Sequence, residues 1–426
     1  LLGAGLVLLA GSAVIAGLAQ SLRPALLGMA CLLIGAVLCL PALLRSLLNA
    51  LARRVAPRRA RLCWLLADSR WLLGPAALAL MALTLALVAN SGLNTMIESF
   101  RKATDDWLGQ RLAAELYLRG DLAPDGLEAW LARIDPRLRA VERYRNELDR
   151  ETPSGRTVAV EVVSLQQGER FLDSVGLMRS VAAARERFAA GDGVYVSERA
   201  WRLDGWRPGE SLRLCDDQAA LPVLGVYHDY GNPRSQWMVS RALFQRCWPQ
   251  LGPSGRALYG PPELDWSALR AELVERFGLQ GDQLIDQAEL RAAGMAVFDR
   301  TFTVTRALNA LTLLVAGIGI FCAVSAIHHH RVGQQALLAS LGMTRRERGA
   351  LLLLQWGLLG LLCMVLVWPF GALLAGYLAG VVTPIAFGWS FPLRLEGLHY
   401  LSLALLAACC LVLAVALPSL RLLRTS

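Results

Sequence analysis

The stretch LLGPAALALMALTLALVAN, residues Leu72–Asn90, decides the fold class of this chain. No residue in it is charged, whereas a surface helix of a soluble protein carries polar residues along one face. At about 1.5 Å of rise per residue, a helix of this length approaches the roughly 30 Å thickness of the hydrocarbon core of a bilayer. The stretch therefore predicts a membrane-spanning helix.

Apolar blocks of similar character occur at five other places. They are Leu1–Leu18, Ala25–Leu44, Leu308–Ala326, Leu351–Ala379 and Leu401–Leu417. The composition agrees, because 55% of the 426 residues are hydrophobic and only 18% are charged, against about a quarter in soluble proteins. No Asp, Glu, Lys or Arg interrupts any block, which disfavours an ion-coupled transporter.

A few polar and small residues within the blocks indicate how the helices pack. The polar side chains of Thr84, Asn90, Thr312 and Gln355 are interpreted as contacts between helices. The small-xxx-small patterns Gly371–Ala375 and Gly376–Gly380 have two explanations. They permit close helix approach, or they arise by chance in sequence rich in Ala, Gly and Leu.

Arginines set the predicted orientation. They cluster in the connection between the second and third blocks, in that between the fourth and fifth, and in the tail: Arg45, Arg53, Arg54, Arg58, Arg59, Arg61, Arg70, Arg331, Arg345, Arg346, Arg348, Arg421 and Arg424. Basic connections lie on the cytoplasmic side. The long segment Ser91–Val304 and the short loops Gln20–Pro24 and Gly380–Tyr400 are therefore predicted to lie outside. The same clustering accounts for the net charge of +9 without nucleic-acid binding.

The long outer segment has the pattern of a folded α+β domain, and it is long enough to bury its own core. Strands are predicted at Val158–Leu165, Gly193–Ser197, Ser211–Leu214, Leu221–Tyr227 and Gln236–Val239, and helices at Ser180–Ala190 and Ala268–Phe277. At its two ends, Ser91–Leu116 and Ala292–Leu308 continue the neighbouring blocks with helical spacing. We expect these two stretches to be stalk helices that connect the domain to the membrane.

The predicted fold class is a polytopic α-helical membrane protein with six spans and one large extracytoplasmic α+β domain. Its predicted parts are 1–45, two linker transmembrane helices; 46–71, a basic amphipathic cytoplasmic segment; 72–90, a transmembrane helix; 91–304, a periplasmic α+β domain with stalk helices; and 305–426, three transmembrane helices with a cytoplasmic coupling helix at 331–348. Because the sequence opens inside an apolar block at Leu1, we expect the chain to be the C-terminal part of a longer polypeptide.

No motif for catalysis or cofactor binding is present in the sequence. A phosphate-binding loop of the GxxxxGK[ST] type needs a lysine, and the single lysine, Lys102, follows Arg101. We therefore predict no enzyme activity in this chain and no cofactor, with ATP hydrolysis in a separate subunit. Three adjacent histidines, His328–His330, point about 100° apart on a helix and do not converge on one metal ion. Nothing favours a catalytic triad in the outer segment, so a polytopic enzyme is the weakest reading.

Two cysteines stand apart from the other seven, which fall in or beside apolar blocks. Cys215 and Cys247 lie in the polar outer segment and lack the CxxC spacing of a zinc site. In a periplasmic domain they can form a disulfide or remain reduced, and the sequence leaves both alternatives open.

The cytoplasmic stretch Arg331–Arg348 has the pattern of a short helix followed by a break. Val332, Ala336, Leu337 and Leu341 share one apolar face. Gly342 ends the helix, and Thr344 can cap the next one. Such a helix is either a docking surface for a cytoplasmic protein or an ordinary interfacial helix.

Four stretches carry a resemblance to a known family. RVGQQALLASLGMTRR, residues 331–346, resembles the cytoplasmic signature of FtsX-like (MacB-type) ABC transporter permeases. VFDRTFTVTRAL (297–308), ALPSLRLLR (416–424) and LPVLGVYHDYG (221–231) are similar to other parts of long members of that family. The resemblance covers the chain from about Arg59 onward, and the first two blocks look like the linker pair of ten-span permeases. The chain departs from the family at Gln334, Gln335 and Gln355, where Glu is common.

The resemblance implies a permease of the bacterial inner membrane that pairs with a separate cytoplasmic ABC ATPase. Docking of that ATPase is assigned to Gln334, Gln335, Ala336, Leu337, Leu338, Leu341, Gly342, Met343, Arg345 and Arg346. ATP-driven closure would push on this helix, and the stalk helices would carry the movement to a periplasmic lipid, lipoprotein, peptide or partner protein. The alternative is a regulator that transports nothing and relays the state of the ATPase to a periplasmic enzyme.

Overall fold

The computed structural model describes residues 1–54, 60–120, 126–165, 176–215, 220–279, 283–330, 333, 337–338 and 340–395. The chain divides into two compact units. The helical unit comprises the described residues of Leu1–Phe100 and Thr301–Val382, together with 392–395. The sheet unit comprises Arg101–Arg300 together with Thr383–Phe391.

The helices in the described part of the chain are α1 (Leu2–Leu18), α2 (Leu22–Arg54), α3 (Ala60–Leu72), α4 (Ala77–Arg111), α5 (Leu127–Ile134), α6 (Ala184–Ala190), α7 (Glu198–Arg202), α8 (Arg241–Cys247), α9 (Trp266–Phe277), α10 (Gln287–His330), α11 (Arg345–Tyr377) and α12 (Thr383–Phe387). A π-helical turn, Leu378–Val382, joins α11 to α12. Helices α4 and α10 are continuous through Gly92 and Gly294, respectively, so each contributes residues to both units.

Four helices in the described residues are long and apolar enough to cross a membrane. They are Leu22–Arg54, Ala77–Arg111, Gln287–Ile327 and Arg346–Phe387. They match the second to fifth apolar blocks of the sequence. The first block forms a shorter apolar helix of 17 residues, α1. The sixth block, Leu401–Leu417, lies outside the described residues, so the structure supports four of the six predicted spans.

The helical unit packs through leucines and small residues. Leu40, Leu44, Leu48, Leu72, Leu80 and Leu87 are completely buried. A Cβ atom on Gly371 would lie 2.6 Å from the Ser91 hydroxyl, and one on Gly92 would lie 2.6 Å from the Leu374 side chain. Helices α4 and α11 therefore approach closely at the pattern Gly371–Ala375. At Gly376 and Gly380 no comparable contact occurs among the described residues.

The sheet unit contains two β-sheets. Its strands are β1 (Leu116–Arg119), β2 (Arg139–Arg143), β3 (Arg145–Glu151), β4 (Thr157–Leu165), β5 (Leu177–Ser180), β6 (Val194–Ser197), β7 (Ser211–Leu212), β8 (Leu221–Tyr227), β9 (Ser235–Ser240), β10 (Gly255–Tyr259) and β11 (Leu284–Asp286). The smaller sheet is antiparallel with the order β11-β1-β10-β2. The larger sheet is mixed with the order β3-β4-β9-β6-β8-β5, and β7 also pairs with β8. Strands β4/β9 and β6/β8 are the parallel pairs.

Local sequence explains where the short helices of the sheet unit begin. The hydroxyl groups of Ser197 and Ser240 accept hydrogen bonds from the first turns of α7 and α8, and Asp265 caps α9 in the same way. Each cap supplies an acceptor to amide groups of the first turn that have no partner within the helix.

Most predicted strands of the outer segment are confirmed. Strand β8 has the predicted bounds Leu221–Tyr227, and β4 begins one residue earlier than predicted. The prediction of a helix over Ser180–Ala190 was wrong at its start, because Ser180 belongs to β5 and pairs with Gly225. The helix begins at Ala184, after Ala183 adopts a left-handed backbone conformation with φ of 52°.

Candidate functional site

The predicted docking stretch, Gln334–Arg346, is described only in its second half. Gln334, Gln335 and Ala336 lie outside the described residues, as does the side chain of Arg345. Leu337 and Leu341 are 63% and 73% exposed, and the Leu341 amide donates to the Leu337 carbonyl at 3.1 Å, one helical turn away. The two leucines therefore present apolar surface on one side of a helical turn.

A sharp break follows these leucines. Gly342 has φ of +87°, a left-handed conformation that glycine adopts readily, and the Met343 amide donates to the Leu338 carbonyl at 3.2 Å, as at helix ends. The Thr344 hydroxyl then accepts from the Glu347 amide, and the Glu347 carboxylate accepts from the Thr344 amide at 3.0 Å. This reciprocal cap starts α11. The sequence signals at Gly342 and Thr344 thus produce the predicted helix end and helix start.

Three asparagines join α4 to α10 within the helical unit. The Asn94 side-chain amide donates to the Asn90 side-chain oxygen at 2.6 Å. Asn90 donates to the Asn309 backbone carbonyl at 3.2 Å, and Asn309 donates to the Asn94 side-chain oxygen at 3.1 Å. Polar groups placed in apolar helices commonly stabilise helix pairs in this way.

The other polar residues of the blocks behave differently from one another. Gln355 donates to Asp68 at 2.8 Å, a contact between helices. Thr312, predicted to contact another helix, instead bonds to the Leu308 carbonyl of its own helix at 2.9 Å. Thr84 is buried.

The same two helices pair again within the sheet unit. Arg291 of α10 donates a hydrogen bond of 2.8 Å to Asp105 of α4, and a second nitrogen–oxygen distance in this ion pair is also 2.8 Å. Arg101 and Asp299 form an ion pair at 3.3 Å. The hydrogen bond from Arg291 lowers the pKa of Asp105. Helices α4 and α10 are therefore linked by polar contacts at several positions along their length.

A short segment after the fifth apolar block packs within the sheet unit. We call this segment, Thr383–Phe391, the strap. The Arg199 guanidinium donates to the Phe387 carbonyl at 2.9 Å. Trp389 makes an edge contact with Tyr230 at 5.8 Å between ring centroids. Gly388 lies between Phe387 and Trp389 in the chain and has φ of +82°, and a Cβ atom on it would lie 2.9 Å from the Leu203 side chain. Glycine at 388 therefore allows both the turn and the close packing.

Glu198 is the polar centre of strap docking. Its side chain is completely buried at the first position of α7. It accepts from the Ser390 amide at 2.9 Å and from the Ser390 hydroxyl at 2.7 Å. Arg202 and His228 also contact it, at 2.7 and 3.0 Å. Burial raises the pKa of Glu198, but hydrogen bonds from His228, Ser390 and Arg202 outweigh burial, so its pKa is lowered. The carboxylate is thus held ionised between the strap and α7.

A cavity of about 500 Å³ opens in the sheet unit. Its walls come from the last turn of α4, from β2, β3, β4 and β9, and from the loop Asp229–Pro233. Arg111 of α4 contacts Asp229 at 3.2 Å and donates to Gln236 at 2.8 Å. Burial raises the pKa of Asp229, although Arg111 and Asn232 oppose this. Glu161 accepts from Gln236 at 2.6 Å and pairs with Arg145.

Cys215 and Cys247 form a disulfide with their Cα atoms 5.6 Å apart. The bond ties the chain after β7 to the end of α8. No group of three or more His, Cys, Asp or Glu side chains is placed to hold a metal ion in the part of the chain that the structure describes.

Sequence reasoning missed the strap and its anchor. Glu198 was not singled out, although the serine that ends the predicted strand Gly193–Ser197 and the glutamate that follows it signal a helix start. The strap sequence FGWSF, residues 387–391, is unusually aromatic for an exposed loop, and this was the available signal for packing. Neither Asn94 nor Asn309 was singled out, although Asn90 was.

These features define a polytopic membrane protein with a large folded domain whose loop after the fifth apolar block packs on that domain. Residues 306–426 match the family model described as FtsX-like permease C-terminal. The chain is 26% identical over 363 residues to an uncharacterized ABC transporter permease protein, Rv0987, of Mycobacterium tuberculosis, covering 81% of this chain. The chain spans 42% of the length of that relative. The predicted resemblance to FtsX-like permeases is therefore confirmed for residues 306–426, and most of the chain is similar to an ABC transporter permease.

Two solved structures resemble part of the chain. The extracellular domain of the noncanonical ABC-type transporter YknZ from Gram-positive bacteria aligns with a TM-score of 0.29 and 12% identity, covering 41% of this chain and 98% of that domain. The periplasmic region of MacB from Actinobacillus actinomycetemcomitans aligns with a TM-score of 0.31 and 9% identity, covering 42% of this chain and 92% of that region.

Proposed function

We propose that this chain is the permease part of an ABC-type transport or mechanotransmission complex in the bacterial inner membrane. A separate cytoplasmic ATPase would power it, and its work would be the periplasmic handling of a lipid, lipoprotein or peptide. The observation that carries this proposal is the FtsX-like match of residues 306–426, which includes the whole docking stretch. The lack of a phosphate-binding lysine in the sequence supports a separate ATPase.

The ATPase would dock on the stretch from Gln334 to Arg346. The exposed Leu337 and Leu341 would supply apolar contact, and the break at Gly342 would orient α11 away from the partner. Helices α4 and α10 would transmit the movement, because each is continuous and the two are joined by the asparagine contacts and by the Arg291–Asp105 pair.

The strap supports the proposed topology. It packs in the same unit as Arg101–Arg300, so the two lie on one side of any membrane that the chain crosses. The arginine pattern assigns both to the outside. We infer that Leu1–Leu18 and Leu401–Leu417 complete a set of six spans in the lipid bilayer.

Co-purification of the full-length protein with its ATP-binding subunit tests the proposal. Leu341→Glu should abolish co-purification, because it places a charge on the apolar docking surface. Leu341→Met should preserve it. Ile134→Glu places a charge at an exposed apolar residue of the sheet unit, and it should leave co-purification unchanged. Equal co-purification of Leu341→Glu and wild type would count against the docking assignment. ATPase stimulation by added lipid or lipoprotein would distinguish a transporter from a regulator that transports nothing.

A further inference from the structure

The cavity in the sheet unit has features of a binding site that the proposed coupling mechanism does not use. Its volume of about 500 Å³ falls within the roughly 300–1,000 Å³ typical of small-molecule sites. Aromatic side chains of Trp107, Tyr144 and Tyr230 line it together with the amide groups of Asn232 and Gln236. Such a mixed wall suits a ligand with both an apolar part and a polar part, and it does not suit a long hydrocarbon chain.

Some of the charged side chains that line the cavity form ion pairs, and one does not within the part of the chain that the structure describes. Asp229 is paired with Arg111, and Glu161 with Arg145. Arg143 is different: its guanidinium lies over the Tyr117 ring at 5.5 Å, and no carboxylate forms an ion pair with it among the described residues. Arg143 is therefore a half-buried cation among the residues that line the cavity, and its guanidinium has hydrogen-bond donors to spare.

We propose that this cavity binds a small anionic molecule that carries an aromatic or apolar group, with the carboxylate or phosphate of the ligand paired to Arg143. A planar guanidinium forms two parallel hydrogen bonds with either anion. The aromatic or apolar group of the ligand packs against Trp107 and Tyr230. Asp229 is paired with Arg111, which offsets its repulsion of an anion.

Because residues of α4 form part of the cavity wall, ligand binding and movement of α4 should affect each other. Trp107 and Arg111 lie at the C-terminal end of α4, and Arg111 forms an ion pair with Asp229 and donates a hydrogen bond to Gln236 in the cavity wall. A shift of α4 changes the shape of the wall, and an occupied cavity resists that shift. The role of the ligand as substrate or effector rests on the proposed function, whereas the binding itself does not.

Equilibrium dialysis of the purified full-length protein in nanodiscs, without ATPase, tests the binding. The probes are N-acetylphenylalanine, its neutral amide, and phenyl phosphate. At least one of the two anions should bind saturably and about tenfold or more tighter than the neutral amide, since a charge-assisted pair is lost in the amide. The tighter-binding of the two anionic probes shows whether the cavity prefers a carboxylate or a phosphate.

Two matched variants test the assignment to Arg143. Arg143→Gln should weaken binding of the anion about tenfold or more, whereas Arg139→Gln, on the same strand but outside the cavity, should not. Both variants should still co-purify with the ATPase, so failure of this inference is distinguishable from failure of the proposed function. Equal affinity for acid and amide, no saturable binding of either anion, or equal affinity in wild type and Arg143→Gln would overturn the proposal. The comparison of acid with amide uses wild-type protein and holds even if Arg143→Gln fails to fold.

Discussion

Replacing Glu198 with Gln should release the strap from the sheet unit. The carboxylate accepts both the amide and the hydroxyl of Ser390 while it is also bonded to Arg202 and His228. The carboxamide of glutamine has one acceptor oxygen and presents N–H donors where a second acceptor is needed. Whichever oxygen the amide group replaces, one N–H donor loses its acceptor, either the Ser390 amide or Arg202, and the remaining contacts lose the charge.

The size of the effect follows from these bonds. A hydrogen bond to a charged group contributes about 1.5–3 kcal/mol, and a neutral one about 0.5–1.5 kcal/mol. The loss of one charged hydrogen bond and the weakening of another should lower the free energy of local strap opening by roughly 2–3 kcal/mol. This figure allows for water that solvates Arg202 and His228 after the change. Because each 1.4 kcal/mol is a factor of ten, the opening equilibrium should shift roughly 30- to 150-fold.

Hydrogen exchange at the Ser390 amide measures this opening directly, because that N–H donates to Glu198. Its protection should fall by the same factor in Glu198→Gln. Glu147→Gln is the matched control, since Glu147 is 55% exposed and pairs only at the surface. Unchanged Ser390 protection in Glu198→Gln, or an equal fall in Glu147→Gln, would refute the assigned role.

The same bonds predict a pH dependence. The pKa of Glu198 is lower in the folded protein than its ordinary value. A lowered carboxylate pKa contributes stability that is complete above the ordinary carboxylate range, near pH 4.3, and is lost as pH falls through the lowered value. Ser390 protection should therefore decline in acid in the wild type, and this decline should be absent in Glu198→Gln.

Two further predictions concern other parts of the fold. Asn94→Leu should destabilise the pairing of α4 and α10 by about 0.6–2 kcal/mol, measured as a shift of the unfolding equilibrium in mixed detergent. Thr312→Val should have little effect, because the one hydrogen bond of Thr312 among the described residues is to its own helix. Cys215→Ser should lower the free energy of unfolding of the sheet unit by about 3–4 kcal/mol, because the disulfide closes a loop of 32 residues. Thermal unfolding of the wild type in the presence of reductant should show the same loss of stability as Cys215→Ser. Cys322→Ser should show no loss of stability.

The apolar blocks were predictable because membrane-spanning helices are recognised by length and lack of charge alone. Strand β8 was predictable because its sequence, LPVLGVY, is a continuous buried run. Strand β3 was not, because its sequence RNELDRE is charged at nearly every position and is stabilised by pairing with β4. Its strand state depends on a partner that is distant in sequence, which propensity does not show.

The functional contacts were harder to predict for a related reason. Glu198 and Ser390 are separated by 192 residues, and nothing local marks either as the partner of the other. Gly342 and Thr344 were predictable, because helix ends are determined by residues within one turn. The sequence therefore predicted the helix end at Gly342 and the helix start at Thr344, whereas the strap and the cavity required the fold.

The central claim is that Ser91–Val304 and the stretch Arg331–Arg348 lie on opposite sides of the membrane. Single-cysteine labelling in intact cells with a membrane-impermeant maleimide tests it most directly, using Ser154→Cys and Ser340→Cys, both at exposed positions, in a background without other accessible thiols. Ser154→Cys should label in intact cells, and Ser340→Cys only after the membrane is permeabilised. Labelling of both positions in intact cells, or of Ser340→Cys alone, would contradict the topology and with it the proposed coupling.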